Sequence, residues 1–361
     1  MALSKILNAS VTDSTLTTTK LATPNLGRRN IVINGAMQVA QRATSATGLG
    51  EGTVGYVALD RFRLQKSANP PARYTMTQDS NAPAGFANSM KLEVTTADTS
   101  VASGSLQYID QFIEAQNLQQ LAYGTASAKK ITLSFYVKCS TAQTFALDLV
   151  NEDNSRYFNT IYTVSSADTW ERKTITIPAD TASGFNNDNG RGLRVRWTLL
   201  AGSDFTDGSV STAWSGTQHT ATNHQNTWVG ATGRTWQLTG VQLEVADEAT
   251  PFEVRSYGEE LALCQRYFET GNINSVSSFI TTNVVIGTLY FATTKRANPA
   301  VSYPTLFTVY VSSSTPSLSG HTTSGTPSIY GFFIRATCSS TAHQAKASIL
   351  QNGTYIADSE L

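Results

Sequence analysis

The chain has 361 residues, with 26 Lys and Arg balancing 26 Asp and Glu, and only 14% of its residues charged. That balance, with no Lys/Arg cluster, argues against a nucleic-acid binder that works by neutralising phosphates, while 40% hydrophobic and 9% aromatic residues argue against disorder. No run of about 18 apolar residues occurs, so no membrane insertion is expected, and the length leaves room for two modules rich in the Ser and Thr that favour β-surface over helix.

Residues 1–27 read as a separate arm. Single apolar residues (Ile6, Leu7, Val11, Leu16, Leu21) stand about five apart among Thr, Ser and Asp, a spacing that fits neither helix nor strand. Such a segment cannot bury its few apolar side chains alone, so it is expected to gain order through sister chains or another partner. It contains no continuous apolar stretch, and a secretory leader is not expected.

From 28 to 258 the pattern is short strands and turns: 31–34, 61–65, 73–78, 89–94, 130–140, 144–150, 172–178, 193–200 and 236–245. The clearest is KITLSFYVKCS, with Ile131, Leu133, Phe135 and Val137 on one face and Thr132, Ser134, Tyr136 and Lys138 on the other. The NEDNS run after the sixth of these reads as a turn. One interruption, 109–122, places Ile109, Phe112, Ile113 and Leu118 near helical spacing and is expected to be a short helix. Residues 259–269 form a second helical patch, opened by Glu259 and Glu260 where the helix dipole favours acids, and read as a hinge. Residues 270–361 return to strands and predict a second, smaller β-sandwich. The fold class is therefore all-β, an antiparallel jelly-roll sandwich followed by a second sandwich module, with an irregular N-terminal arm.

Candidate chemistry is sparse. Cys139, Cys264 and Cys338 are odd in number and far apart, so they are expected to be free thiols. GxGxxG, P-loop, HExxH and GxSxG patterns are absent, no catalytic residue is assigned, and a non-enzyme is expected. The stretch 207–230 holds Trp214, His219, His224 and Trp228 among Ser, Thr and Asn. Two exposed indoles flanked by amides would make a sugar platform, whereas buried ones would anchor a surface loop to the sandwich edge. Glu244 and Glu253 flank the last strand of the first module and are weak candidates for a structural calcium; no other cofactor is expected.

Three stretches carry a family resemblance. RRNIVINGAMQVAQRAT with YVALDRFRLQ resembles the entry of a jelly-roll module in tailed-bacteriophage virion proteins, in which an Asn-Gly turn precedes a strand and an xDRW/F strand follows. Here the aromatic after Asp60-Arg61 is Phe62. AKKITLSFYVKCS resembles the central strand, and TWQLTGVQLEVADEATPFEVRSYGEELALCQRYFE the closing strand and exit helix. VTDSTLTTTKLA resembles the Thr-rich leaders of phage fibre proteins, including those of cyanophages. The resemblance spans about residues 1–270 and implies a carbohydrate-binding-module-like jelly roll in a structural virion protein. The implied role is a homotrimeric tail fibre, assembled in the host cytoplasm, that contacts other virion proteins and attaches to host surface polysaccharide without catalysis. A capsid decoration or head-fibre protein and a depolymerising tailspike are the alternatives.

Overall fold

The computed structural model describes residues 28–68, 70–305, 307–311, 315–339 and 347–361. The expected docking arm, with Ile6, Leu7, Val11, Leu16 and Leu21, lies outside the described residues.

The protein is all-β, as expected. Among the described residues, eleven strands of the first module form two antiparallel sheets. The six-stranded sheet runs in the order β1 (Ser45–Leu49), β3 (Arg73–Asp79), β4 (Ser89–Thr96), β11 (Thr235–Glu244), β6 (Ile131–Cys139), β9 (Glu171–Ile177). The five-stranded sheet runs β2 (Arg63–Ser67), β5 (Leu106–Glu114), β10 (Arg191–Ala201), β7 (Gln143–Asn151), β8 (Arg156–Val164). Alternating inward residues of both sheets meet in one core, in which Trp197 stands edge-on to Phe135 at 5.9 Å and Phe145 stacks on Tyr162 at 5.3 Å.

Most strands fall where the alternation placed them, and β6 keeps the inward and outward sets read from the sequence. Residues 109–122 do not form the expected helix. They divide into the end of β5 and a 3-10 turn, Ala115–Leu121. The reason is burial on both faces: Ile109 and Ile113 enter the sandwich core while Phe112 packs outside it against Tyr267 and Leu361, so the period-2 signal is erased. Residues 31–34 are also not a strand. They belong to an irregular entry segment in which Asn30 Oδ1 accepts from the backbone N–H groups of Val32 and Leu243, and Asn34 Nδ2 donates to the carbonyls of Val39 and Asp60. Gly35 lies so close to β11 that a Cβ would sit 2.1 Å from the Val241 carbonyl oxygen. The three cysteines are free and buried.

The second module is one antiparallel path: β14 (Ala300–Thr305), β18 (Ala347–Asp358), β12 (Phe268–Phe279), β13 (Val284–Tyr290), β17 (Gly331–Cys338), β16 (Leu318–Ser324), with β15 (Thr308–Val311) also on β18. It folds over so that Tyr303 of β14 reaches His321 and Thr323 of β16 around a core of Phe291, Phe307, Phe332 and Tyr355.

Between the modules stands the helix Tyr257–Gln265, started by a capping box in which Ser256 and Glu259 exchange hydrogen bonds. The junction it spans is not a free hinge. Arg61, fully buried and in left-handed backbone (φ 71°), pairs with Glu360, donates to the Phe112 carbonyl at 2.7 Å and lies 3.4 Å over the Tyr267 ring. Arg42 reaches Asp358 and Glu360, and Arg266 grips Glu114 with two bonds of 2.7 and 2.8 Å. Removing one partner of a buried pair leaves an uncompensated charge. Arg61→Met is therefore expected to lower unfolding stability by about 3–5 kcal/mol, and adding Glu360→Met to recover most of it. Urea titration checks both; a single variant that unfolds at the wild-type midpoint contradicts the assignment.

Candidate functional site

The outward set of β6 faces a cavity. Ser134 and Tyr136 project from β6, Arg172 from β9, and β11 carries a bulge between Thr239 and Gln242 that contains Gly240 (φ 61°). The glycine is required twice over. Its φ suits no ordinary side chain, and a Cβ there would lie 2.7 Å from Phe86 and 2.9 Å from Tyr136. Without one, the two rings close over the bulge at 5.4 Å, and Phe252 meets Phe86 edge-on at 5.0 Å. The resulting cavity is about 470 Å³, lined by Ser134, Tyr136, Arg172, Gly240, Ala249, Pro251 and Phe252.

The exposed Arg172 guanidinium is braced by a 2.8 Å bond from Nη2 to the Thr250 carbonyl. Thr250 is in turn held by Glu244, whose carboxylate accepts from the Thr250 N–H at 2.9 Å and its hydroxyl at 2.7 Å. This lining offers aromatic surface for a ring's C–H face, hydroxyls and a guanidinium for polar substituents, and no carboxylate. Such a lining can stack on and hydrogen-bond a polyhydroxylated molecule.

The residues singled out in the sequence lie elsewhere. Trp228 is fully buried, stacked on Tyr74 at 5.4 Å, with Nε1 donating to the Leu199 carbonyl at 2.6 Å. Trp214 is 6% exposed and donates to the Pro178 carbonyl at 2.8 Å. His224 is buried edge-on to Phe145, its Nδ1 accepting from the Ala146 N–H. His219 is half-buried against Gly208. The exposed-indole platform is thus corrected: these tryptophans sit in the core and anchor the loop, because an indole can bury its ring once its N–H finds a carbonyl.

What the loop covers is the β10–β7–β8 part of the outer face of the five-stranded sheet. On that face Arg63, Asp110, Arg196, Asp148 and Asn159 stand opposite one another across five strands. Arg63 and Arg196 each hold their aspartate with two bonds of 2.6–2.9 Å. Asn159 donates to the Ser209 carbonyl and the Thr222 hydroxyl, and Arg196 to the Thr220 hydroxyl. These are structural ion pairs under a cover.

The calcium candidates are also engaged by protein. Gln242 joins Thr250 in donating to Glu244, and Glu253 accepts from the Asn30 N–H at 2.5 Å and lies 3.6 Å from Arg255. Among the described residues no group of three or more His, Cys, Asp or Glu is placed to hold a metal ion.

Sequence reasoning missed Phe86, Arg172 and Phe252. The available signal was Tyr136, an aromatic in the outward set of an alternating strand with a Gly in the closing strand; Phe86 and Phe252 come from loops whose approach no local pattern specifies.

No protein-family model matches the chain, and no curated protein does. Solved structures similar to it include the enzymatically active domain of tailspike protein 4 of bacteriophage CBA120, at 10% identity and TM-score 0.32, covering 60% of this chain and 21% of that one. A family 11 carbohydrate-binding module from Clostridium thermocellum, in complex with a β-1,3-1,4-mixed-linked tetrasaccharide, is similar at 12% identity and TM-score 0.29, covering 57% of this chain and 99% of that one. A third, TmCBM61 in complex with β-1,4-galactotriose, stands at 9% identity and TM-score 0.30, covering 60% and 99%. The chain thus spans about a fifth of the tailspike chain. Likenesses this distant carry no argument about what the protein binds.

The buried His224 generates an acid sensitivity. Burial pushes its imidazole from the ordinary 6.5 down to about 3. Between these values the unfolded chain binds a proton that the folded one does not, so stability rises with pH across that window and is lost as pH falls through it. From pH 6.5 to 4.5 the loss attributable to this group is about 2–3 kcal/mol. In His224→Phe the decline in unfolding free energy over the same range, read from urea titrations, should shrink by that amount; an unchanged decline contradicts it.

Proposed function

We propose that this chain is a non-catalytic attachment protein of a tailed-phage particle, presented as a homotrimer, whose jelly roll holds a host surface glycan in the Tyr136 cavity. The observation that carries the binding part is the lining itself: Tyr136 and Phe252 rings, the Ser134 hydroxyl and the Arg172 guanidinium around about 470 Å³, with no carboxylate among them. The virion part rests on the three sequence stretches with their Asp60-Arg61-Phe62 strand and on the Thr-rich leader. A single cavity with few polar groups binds a sugar weakly, and symmetric copies raise weak single contacts to useful avidity. Assembly takes place in the host cytoplasm in this reading, before the particle leaves the cell.

The test is calorimetric titration of the full chain with host surface polysaccharide and with short neutral and acidic oligosaccharides. Tyr136→Ala and Arg172→Ala should each weaken binding of the best ligand about tenfold, the loss of ~1.4 kcal/mol expected for one ring or charged contact. Binding unaffected by both substitutions would remove the cavity from the proposal. Sustained release of reducing sugar from the polysaccharide would instead make the protein a depolymerase.

A further inference from the structure

The outer face of the second module breaks the rule that its inner face obeys. Along β12, Ile273, Ser275, Ser277 and Phe279 point inward and Asn272, Asn274, Val276 and Ser278 outward, and the outward set of a wet sheet should be polar. Val276 is nevertheless 82% exposed. On the adjacent strand, Ile349 stands opposite it and is itself opposite Tyr310. On the other side of β12, Phe333 of β17 stands opposite Thr288 of β13, two residues from Tyr290. Tyr310, Ile349, Val276, Phe333 and Tyr290 are all exposed, the last at 77%. Together they leave on the order of 600 Å² of apolar side chain bare across five neighbouring strands, given ~150–250 Å² for a whole aromatic side chain, at the upper limit of what a monomer shows as its largest patch.

The surroundings identify the occupant. Beside the apolar row runs a groove of about 420 Å³ lined by Asn272, Asn274, Gln351, Asn352 and Thr354, all uncharged. Asn352 donates to the Tyr310 hydroxyl at 3.0 Å, which joins groove and row into one surface. Of the outward residues on β12, β13, β15, β17 and β18, only Arg335 and Asp358 carry charge, and Asp358 is paired with Arg42. An apolar centre with an amide rim is the anatomy of a protein interface. A face with so little charge meets no appreciable repulsion from its own copy, in a chain whose net charge is zero. The bare apolar area plus its amide border approaches the ~800 Å² per partner of a stable contact.

We propose that this face is where copies of the chain meet: sheet packs on sheet through Val276, Phe333, Ile349 and Tyr310, with the amides bonding across the rim. The inference deepens the multi-copy part of the proposed function and is independent of its glycan part. It gives association a site among the described residues, in addition to the arm at 1–27 expected from the sequence.

Sedimentation velocity of the full chain tests it. The wild type should sediment as an oligomer at micromolar concentration. Val276→Lys/Phe333→Lys should sediment as a monomer, and so should Val276→Thr/Phe333→Thr, which places strand-favouring threonine at both positions and removes the bulky apolar groups. Both variants should melt as single folded species and bind a short oligosaccharide with wild-type single-site affinity, so failure of assembly and failure of glycan recognition are read separately. A monomeric wild type, or folded variants that keep the wild-type mass, would overturn the proposal.

Discussion

Arg61 is the residue on which the arrangement of the molecule turns. Its guanidinium is sealed from water, and an unpaired buried cation costs several kcal/mol. It is tolerated only because Glu360, the Phe112 carbonyl and the Tyr267 ring all reach it, one from the first module and two from the second module and its approach. The neighbouring positions divide the rest of the work. Asp60 accepts from the Gln41 backbone N–H and side chain, Gln41 donates onward to the Phe268 carbonyl at the start of β12, and Phe62 enters the core beside Trp197. Three consecutive residues thus fix the entry segment, the second module and the sandwich interior. Charge burial at such a seam favours one arrangement strongly over its alternatives, because any slippage strands a full charge without a partner.

The same logic explains the long loop over the five-stranded sheet. An outward row of Arg63, Asp110, Arg196, Asp148 and Asn159 would be unremarkable in water, where surface pairs contribute little. Here the loop buries the Asp148 end, and desolvation pushes the Asp148 carboxyl up while Arg196 opposes it. The loop supplies the hydroxyls and carbonyls that such a row needs once water is gone, through Thr220, Thr222 and Ser209. Its tryptophans are anchors for that purpose: each indole buries its ring and satisfies its N–H on a carbonyl. A Trp and His cluster in a polar loop therefore has two physical meanings, and the sign is set by whether a carbonyl-lined slot exists beneath it, which is a tertiary fact.

That distinction marks how far the amino-acid sequence could be read. Where polar and apolar residues alternate cleanly, as on β6, alternation specifies the strand, its inward set and the outward Tyr136 that lines the cavity, although Thr132 and Ser134 of the outward set are themselves buried. Where both faces are covered, as on β5, alternation vanished and Ile109, Phe112 and Ile113 imitated a helix. Short polar strands such as β1, and β8 with its mixture of Tyr, Asn and Thr, gave no contrast between faces to read. The cavity itself was half legible, since Tyr136 and Gly240 lie on strands, while Phe86 and Phe252 arrive from connections whose paths depend on the bulge. Glu244 reads from the sequence as a strand-end carboxylate, but its partners are Gln242 and Thr250, the latter six residues on in a turn closed by hydrogen bonds.

The outward row on the second module fits the same scheme from the opposite side. Val284 to Tyr290 reads as apolar on both faces, which in a soluble sheet means that both faces are covered. One is covered by Phe332, Leu350 and Tyr355, while on the other Ile286 and Thr288 are half-buried and Tyr290 is bare within a single chain. Recognition and association would then use different sheets, the cavity lying over β6 and the copy contact over β12 and β18, with the Arg61 seam holding the two at fixed separation. A rigid seam matters for avidity. When binding sites are joined by a floppy linker, effective concentration falls with its length, whereas sites on a stiff assembly keep one spacing and gain only from receptors that match it. In such an assembly the seam, although remote from the cavity, would set the spacing of the binding sites.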